Sequence, residues 1–354
     1  MSRILISRMG AFGDCLIVTP LIRYLHARGD EVVMLTSDQG LAMFANNPHL
    51  AKTILHVKDS VPSDQLDQYF EAVRQAEECD THIGLSESIE VNIALHPNSP
   101  RYKYPKHERR NVNYYEETFR IAQHALEQDF FTPMQLGDPK YFHPELFFTD
   151  QERTALAYEF QPWEGKRVIL WGLSGSALNK CYPHVHEVIR LLLARHDDVL
   201  VVTVGDEMCQ ILEFPFKNKP FRGRVICKSG KWTMRQSALA CQAAAVVVSP
   251  DTGLLHAAGC ADNPKVGLLG HTTHEEICKH FANDYCAQAE GVGCSPCHQI
   301  HYQSSLTCNL DEDDSRAALC MSKGLPAERV LARVEEALMC NEVRSVQPNS
   351  LGGV

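Results

Sequence analysis

Three segments of this 354-residue chain set reactive side chains beside backbone that glycine or proline forces to turn. The first is Arg8-Met-Gly-Ala-Phe-Gly-Asp14, where Gly10 and Gly13 let the chain bend out of an apolar run and Asp14 stands at the start of the next helix. A carboxylate there is a helix cap or a base, and the residues alone leave both readings open. The second is Gly172-Leu-Ser-Gly-Ser-Ala-Leu-Asn-Lys180, a small-residue loop carrying Ser174, Ser176 and one lysine. It suits a phosphate cradle, and it also suits an ordinary strand-to-helix turn. The third is Ser249-Pro-Asp-Thr-Gly-Leu-Leu-His256, which follows a buried strand and opens a helix. The amides of Thr252 and Gly253 then lie at a positive helix end, a geometry that suits a diphosphate.

A different chemistry is written between residues 291 and 322. Cys294, Cys297, Cys308 and Cys320 give C-x2-C-x10-C-x11-C in an insertion with little apolar content of its own. Four thiolates around zinc would hold such a segment together structurally, and iron is accepted by the same soft ligands. His298 and His301 are alternative ligands. The competing reading is four unrelated buried thiols, since the chain has 14 cysteines in all. The string Cys294-Ser-Pro-Cys297-His298 also fits c-type haem attachment, which happens after export, and no export signal is read here.

The elements that must position these residues follow an α/β alternation. Arg3 to Ser7 reads as a buried strand, a helix runs from about Cys15 to His26, and strands follow at Glu31 to Ser37 and near Thr53 to Val57. Asn92 to Pro105 is a loop, and Asn113 to Leu126 a helix. Thr149 with Glu152 forms a capping box that opens a linker helix, which places a domain boundary near residue 160. The pattern then restarts: strands Arg167 to Trp171, Val199 to Val204, Arg224 to Cys227, Ala245 to Ser249 and Lys265 to Leu269, with helices His184 to Arg195, Met234 to Ala243 and Pro326 to Leu338. The expectation is two Rossmann-like, doubly wound domains, 1–160 and 161–335, the second carrying insertion 291–322, with a polar tail over 336–354.

Bulk properties narrow the class. The chain is long enough for two cores, its 44% hydrophobic and 22% charged residues suit a globular protein, and no apolar run approaches the ~20 residues of a membrane span. The N-terminus reads as a first strand and not as a signal peptide, so a cytoplasmic location is expected. A formal charge of −10 disfavours a nucleic-acid partner, although a local basic cleft can still hold a nucleotide.

Taken in order, R-x-G-A-x-G-D with Thr19-Pro20, G-x-S-G-S running on to Pro183, and P-D-T-G-x-x-H followed by Gly270-His-Thr272 resemble the heptosyltransferase family of GT-B glycosyltransferases, family 9. The resemblance spans most of residues 1 to 335 and is loose over 80 to 145. It implies two Rossmann-like domains facing a central cleft, the N-terminal one binding acceptor and the C-terminal one ADP-heptose. It further implies that Asp14 is the general base of an inverting transfer without a catalytic metal. Lys180, Ser176 and the Thr252 and Gly253 amides would hold the diphosphate, with Asp251 and His256 near the donor. Glu207 would accept from ribose hydroxyls, as acidic residues do after a strand of nucleotide folds.

The acceptor implied is the lipopolysaccharide inner core, with peripheral contact at the inner membrane face, and the segment Arg101 to Arg110 could meet its anionic groups. Serine hydroxyls of a protein are the alternative, suggested by the cysteine insertion, which is similar in protein-modifying relatives. A rival of another class is a non-catalytic sugar-nucleotide-binding scaffold; Asp14 beside intact phosphate motifs favours the enzyme.

Overall fold

The computed structural model describes residues 1–57, 60–85, 112–127, 141–175, 177–218, 221–297, 308–311 and 317–345. Ser176, the basic segment 101–110, His298, His301 and residues 346–354 lie outside the described residues. The chain forms two compact units: Met1–Arg153 joined by Glu275–His280, and Thr154–His274 with Phe281–Cys297 and the described residues that follow.

In the first unit a parallel sheet has the order β3-β2-β1-β4, from β1 (Arg3–Arg8), β2 (Glu31–Thr36), β3 (Lys52–Leu55) and β4 (Thr81–Gly84). β1 is central, in register with β2 from Arg3↔Glu31 to Arg8↔Thr36 and with β4 from Ile4↔Thr81 to Ser7↔Gly84. Ile4, Leu5 and Ile6 in its middle are fully buried on both faces. Helix α1 (Phe12–Ala27) buries Cys15, Leu16, Ile17, Val18, Leu21, Ile22 and Leu25. Pro20 lies inside this helix, and the Thr19 hydroxyl beside it both donates to Leu16 O at 2.8 Å and accepts from Glu145 N at 2.9 Å. Helices α2 (Asp38–Phe44) and α3 (Leu66–Ala76) follow. Helix α4 (Tyr114–Leu126) is capped by Asn113, whose side chain accepts from Tyr115 N and Glu116 N.

Helix α5 (Asp150–Phe160) opens on the expected capping box: Thr149 N donates to Glu152 at 2.8 Å and Glu152 N to the Thr149 hydroxyl at 3.2 Å. The two units part within it, between Arg153 and Thr154.

The second unit holds a parallel sheet of order β10-β9-β8-β5-β6-β7. Its strands are β5 (Arg167–Gly172), β6 (Val199–Val204), β7 (Val225–Cys227), β8 (Val246–Pro250), β9 (Lys265–Leu269) and β10 (Ala287–Gln288). Valine-rich runs such as Val199–Val204 are buried along their whole length, as a sheet with helices on both faces requires. Around it lie α6 (Val185–Arg195), α7 (Met234–Ala243), α8 (Gly253–Gly259) and α9 (Ala327–Ser345). The last corrects the sequence reading, because residues 336–345 assigned to a polar tail continue the helix. The reason is periodic burial: Val330, Leu331, Val334, Ala337 and Leu338 pack into the core of this unit. Among the described residues no helix is long and apolar enough to cross a membrane.

Candidate active site

In both units the chemistry-bearing residues follow the carboxyl ends of strands. β1 ends at Arg8, and Gly10 turns the chain with φ +130, a conformation that favours glycine. Gly13 belongs to the first turn of α1 and is buried, so it shapes the helix start and not the loop before it. Asp14 is the third residue of α1 and not its cap. Its carboxylate accepts from Ala11 N and pairs with Arg8 Nη2 at 3.0 Å. Arg8 is buried and is itself anchored by Nη1 donating to Leu85 O at 2.6 Å. The carboxylate is therefore held in one orientation while part of its side chain stays exposed (15%). Arg8 was quoted in the sequence motif, but its partnership with Asp14 is visible only once strand and helix are in place.

In the second unit the loops after β5 and β8 meet. A Cβ on Gly175 would lie 2.8 Å from both Lys180 Cδ and Thr252 Cγ2, so only glycine lets the two loops pack this closely. The Lys180 ammonium donates to the carbonyl of Asp251 at 2.8 Å and lies 3.6 Å from its Oδ2. His271 Nε2 stands 3.2 Å from that same Oδ2, and His256 Nε2 3.6 Å from Oδ1. Burial pushes the Asp251 pKa up, but the Lys180 charge and hydrogen bonds from His256 and His271 outweigh it. They hold the carboxyl ionised, well below the usual carboxylate range. Thr252 caps α8 with its hydroxyl accepting from Leu254 N at 3.2 Å, and it touches the Ser249 hydroxyl at 3.0 Å. Lys180, Asp251, Thr252, Gly253 and His256, expected near one another, are thus brought together by one unit.

Two other expected residues are placed differently. The Ser174 hydroxyl faces its own loop, donating to Gly175 O at 3.2 Å and lying 2.9 Å from Cys181 Sγ. Glu207 opens the turn Glu207–Cys209 after β6, is exposed, and lies against Gly230. Sequence reasoning missed His271, which it quoted only within a motif. It also missed Glu213, a buried carboxylate that accepts from the Thr203 hydroxyl at 2.7 Å and Ser229 N at 3.0 Å.

The insertion's four cysteines lie within electrostatic reach of one another. Burial pushes the Cys308 thiol up, and Cys297 and Cys294 add to it; burial likewise drives Cys320 up to about 12, with Cys297, Cys308 and Cys294 adding to it. The four are not drawn into one ligand cluster; the thiol-and-carboxylate group that the described residues do bring together is Cys278, Asp284 and Cys286, whose ligand atoms all lie within 4.8 Å of one another. The insertion is tied to the end of β9: Ser295 Oγ donates to Gly270 O at 2.7 Å, and a Cβ on Gly270 would lie 2.8 Å from Cys320 Sγ.

The chain is similar in fold to a family 9 glycosyltransferase from Veillonella parvula, at 14% identity and TM-score 0.68 over 96% of this chain and 97% of that one. It is also similar to the Escherichia coli ADP-heptose lipopolysaccharide heptosyltransferase II, at 14% identity and TM-score 0.65 over 96% and 99%. The iron-containing dodecameric glycosyltransferase TibC from enterotoxigenic E. coli follows at 12% and 0.59, over 98% and 77%. No curated protein matches the chain. The family model of glycosyltransferase family 9 (heptosyltransferase) matches residues 75–307. With two parallel α/β sheets of the GT-B kind and reactive residues at their strand ends, the chain belongs to glycosyltransferase family 9, the heptosyltransferases.

Proposed function

We propose that this family 9 glycosyltransferase moves a heptose from ADP-heptose to a hydroxyl of the lipopolysaccharide inner core, inverting the anomeric centre and using no metal in the reaction itself. Asp14 accepts the proton of the attacking hydroxyl, with Arg8 and Ala11 N fixing the orientation of its carboxylate. In-line attack opposite the departing diphosphate inverts the carbon. Lys180 has three donors, and one is spent on the Asp251 carbonyl, so its charge remains to hold the diphosphate before and during departure. The Thr252 and Gly253 amides and Ser176 share that task. Asp251 and His256 flank the donor, Ser174 shapes the loop, and the exposed Glu207 takes the ribose hydroxyls.

The observation that carries this reading is the close packing at Gly175, which brings Lys180 and Thr252 side by side at the ends of neighbouring strands. A serine hydroxyl of a protein is the second acceptor reading, favoured by the spacing of Cys294, Cys297, Cys308 and Cys320 in the light of the iron-containing relative. The insertion's zinc or iron would be structural, since four thiolates leave no open position.

The test is a panel of truncated lipopolysaccharide cores and serine-bearing proteins incubated with ADP-heptose, with product mass and anomeric configuration measured. Transfer to a core acceptor with inversion is expected, together with ADP binding that Lys180→Ala weakens. ADP binding without transfer to any acceptor would leave only the sugar-nucleotide-binding scaffold, and absence of both would remove the donor reading too.

A further inference from the structure

A lysine that holds a diphosphate must present net positive charge to it. Yet Lys180 stands 3.6 Å from an oxygen of a buried carboxylate, where the dielectric is low and opposite charges pull hard. Left alone, Asp251 would draw the ammonium into a closed, neutral pair with little attraction for an anion. The distances describe another arrangement. Lys180 makes its short contact, 2.8 Å, with the neutral main-chain carbonyl of Asp251. The Oδ2 atom it faces at longer range is taken at 3.2 Å by His271 Nε2, and Oδ1 is faced by His256 Nε2 at 3.6 Å. All four residues are buried or nearly so, His271 with 3% of its side chain exposed and Lys180 with 11%.

We propose that His271 is a positioning residue for donor binding: by donating to Asp251 Oδ2 it takes up the carboxylate's charge, so that Lys180 stays on the Asp251 carbonyl with its own charge directed to a nucleoside diphosphate. This rests on the reading that Lys180 holds the donor's diphosphate. His271 follows β9 directly through Gly270, so the strand sets its position; Asp251 follows β8, the neighbouring strand. The register of two adjacent strands thereby fixes the length of the contact. His256 reaches the same carboxylate from α8 on its other oxygen, and its removal leaves the Lys180-facing atom satisfied.

The experiment is a double-mutant cycle read by calorimetric titration of ADP into the purified full-length protein. His271→Leu leaves Oδ2 to Lys180 and weakens ADP binding by about tenfold or more. His271→Gln keeps an N–H donor and recovers most of the loss. In an Asp251→Asn background, where no carboxylate competes for the ammonium, His271→Leu changes ADP affinity by less than about twofold. An equal loss from His271→Leu in both backgrounds, or equal losses for Leu and Gln, overturns the proposal, because a histidine that merely fills space acts alike in each. Should His271→Leu fail to fold, His271→Asn, with a shorter amide, replaces it in the same cycle. Failure of ADP to bind the unmodified protein removes the donor reading itself, and is distinguishable from a cycle that shows no coupling.

Discussion

Asp14 joins a structural role to the catalytic one proposed for it. As the third residue of α1 it takes the amide of Ala11, and as the partner of buried Arg8 it has a fixed orientation. Replacing it should separate the two roles. Asp14→Asn keeps an acceptor for the Ala11 amide but cannot take a proton, so kcat should fall by about 10²-fold or more while ADP affinity changes little and the thermal midpoint drops, because buried Arg8 loses its counter-charge. Asp14→Ala should lose the same rate and some stability as well, because Arg8 is left buried beside an empty position. Near-normal turnover in both variants, measured by steady-state kinetics, would remove Asp14 from the reaction. At this scale the sequence placed Lys180, Asp251 and Thr252 near one another, because each lies in a short motif after a strand. It was silent on His271 and Glu213, whose roles arise from contacts with Asp251 and with Thr203 and Ser229 that only the folded sheet creates.

Elements that were legible share a property: apolar runs bounded by glycine or polar turns, as in β1, β5 and β6, whose burial is continuous. Helix α3 and strand β4 carry no such signal. α3 buries only Phe70, and β4 is the short run Thr81-His-Ile-Gly84, made a strand by pairing with β1 and not by its own composition. The loops after β5 and β8 depend on a backbone approach that composition does not reveal. Gly175→Ala should force a methyl against Lys180 and Thr252, weakening ADP binding by about tenfold with a small drop in thermal midpoint. Unchanged titration would show that the loops move apart at no cost.

Strand β9 offers a pH test. Lys265 is fully buried, its ammonium donating to Ala261 O at 2.6 Å and Ala282 O at 2.7 Å. Burial lowers its pKa from 10.5 to about 8, with Asp262 among the groups that oppose the drop. Between about pH 8 and 10.5 the unfolded chain binds a proton the native one has released, so this residue's contribution to stability rises with pH across that window. Urea midpoints should show the rise, and Lys265→Met should flatten it; the same slope in both proteins would count against the burial argument.

Over the whole molecule, two parallel sheets with helices on both faces were readable from alternation alone, whereas the extent of the closing helix was not, because charged residues interleave its buried face. Purified protein should carry close to one equivalent of zinc or iron per chain by elemental analysis, and Cys297→Ser should lower both that content and the thermal midpoint. Protein free of metal, with all four thiols titratable in the native state, would return these cysteines to ordinary packing. The anchoring of the insertion on Gly270 has a thermodynamic corollary. Gly270 O accepts from Ser295, a Cβ at Gly270 would crowd Cys320, and the next residue is His271, so an ion on the cysteines and a nucleotide on the loops would bias the same short stretch of backbone. Linkage of that kind is reciprocal: if a bound ion tightens the grip on ADP, then ADP must by the same factor tighten the grip on the ion. Chelator-driven release should therefore slow in the presence of saturating ADP, making the nucleotide a protectant of a site it never touches.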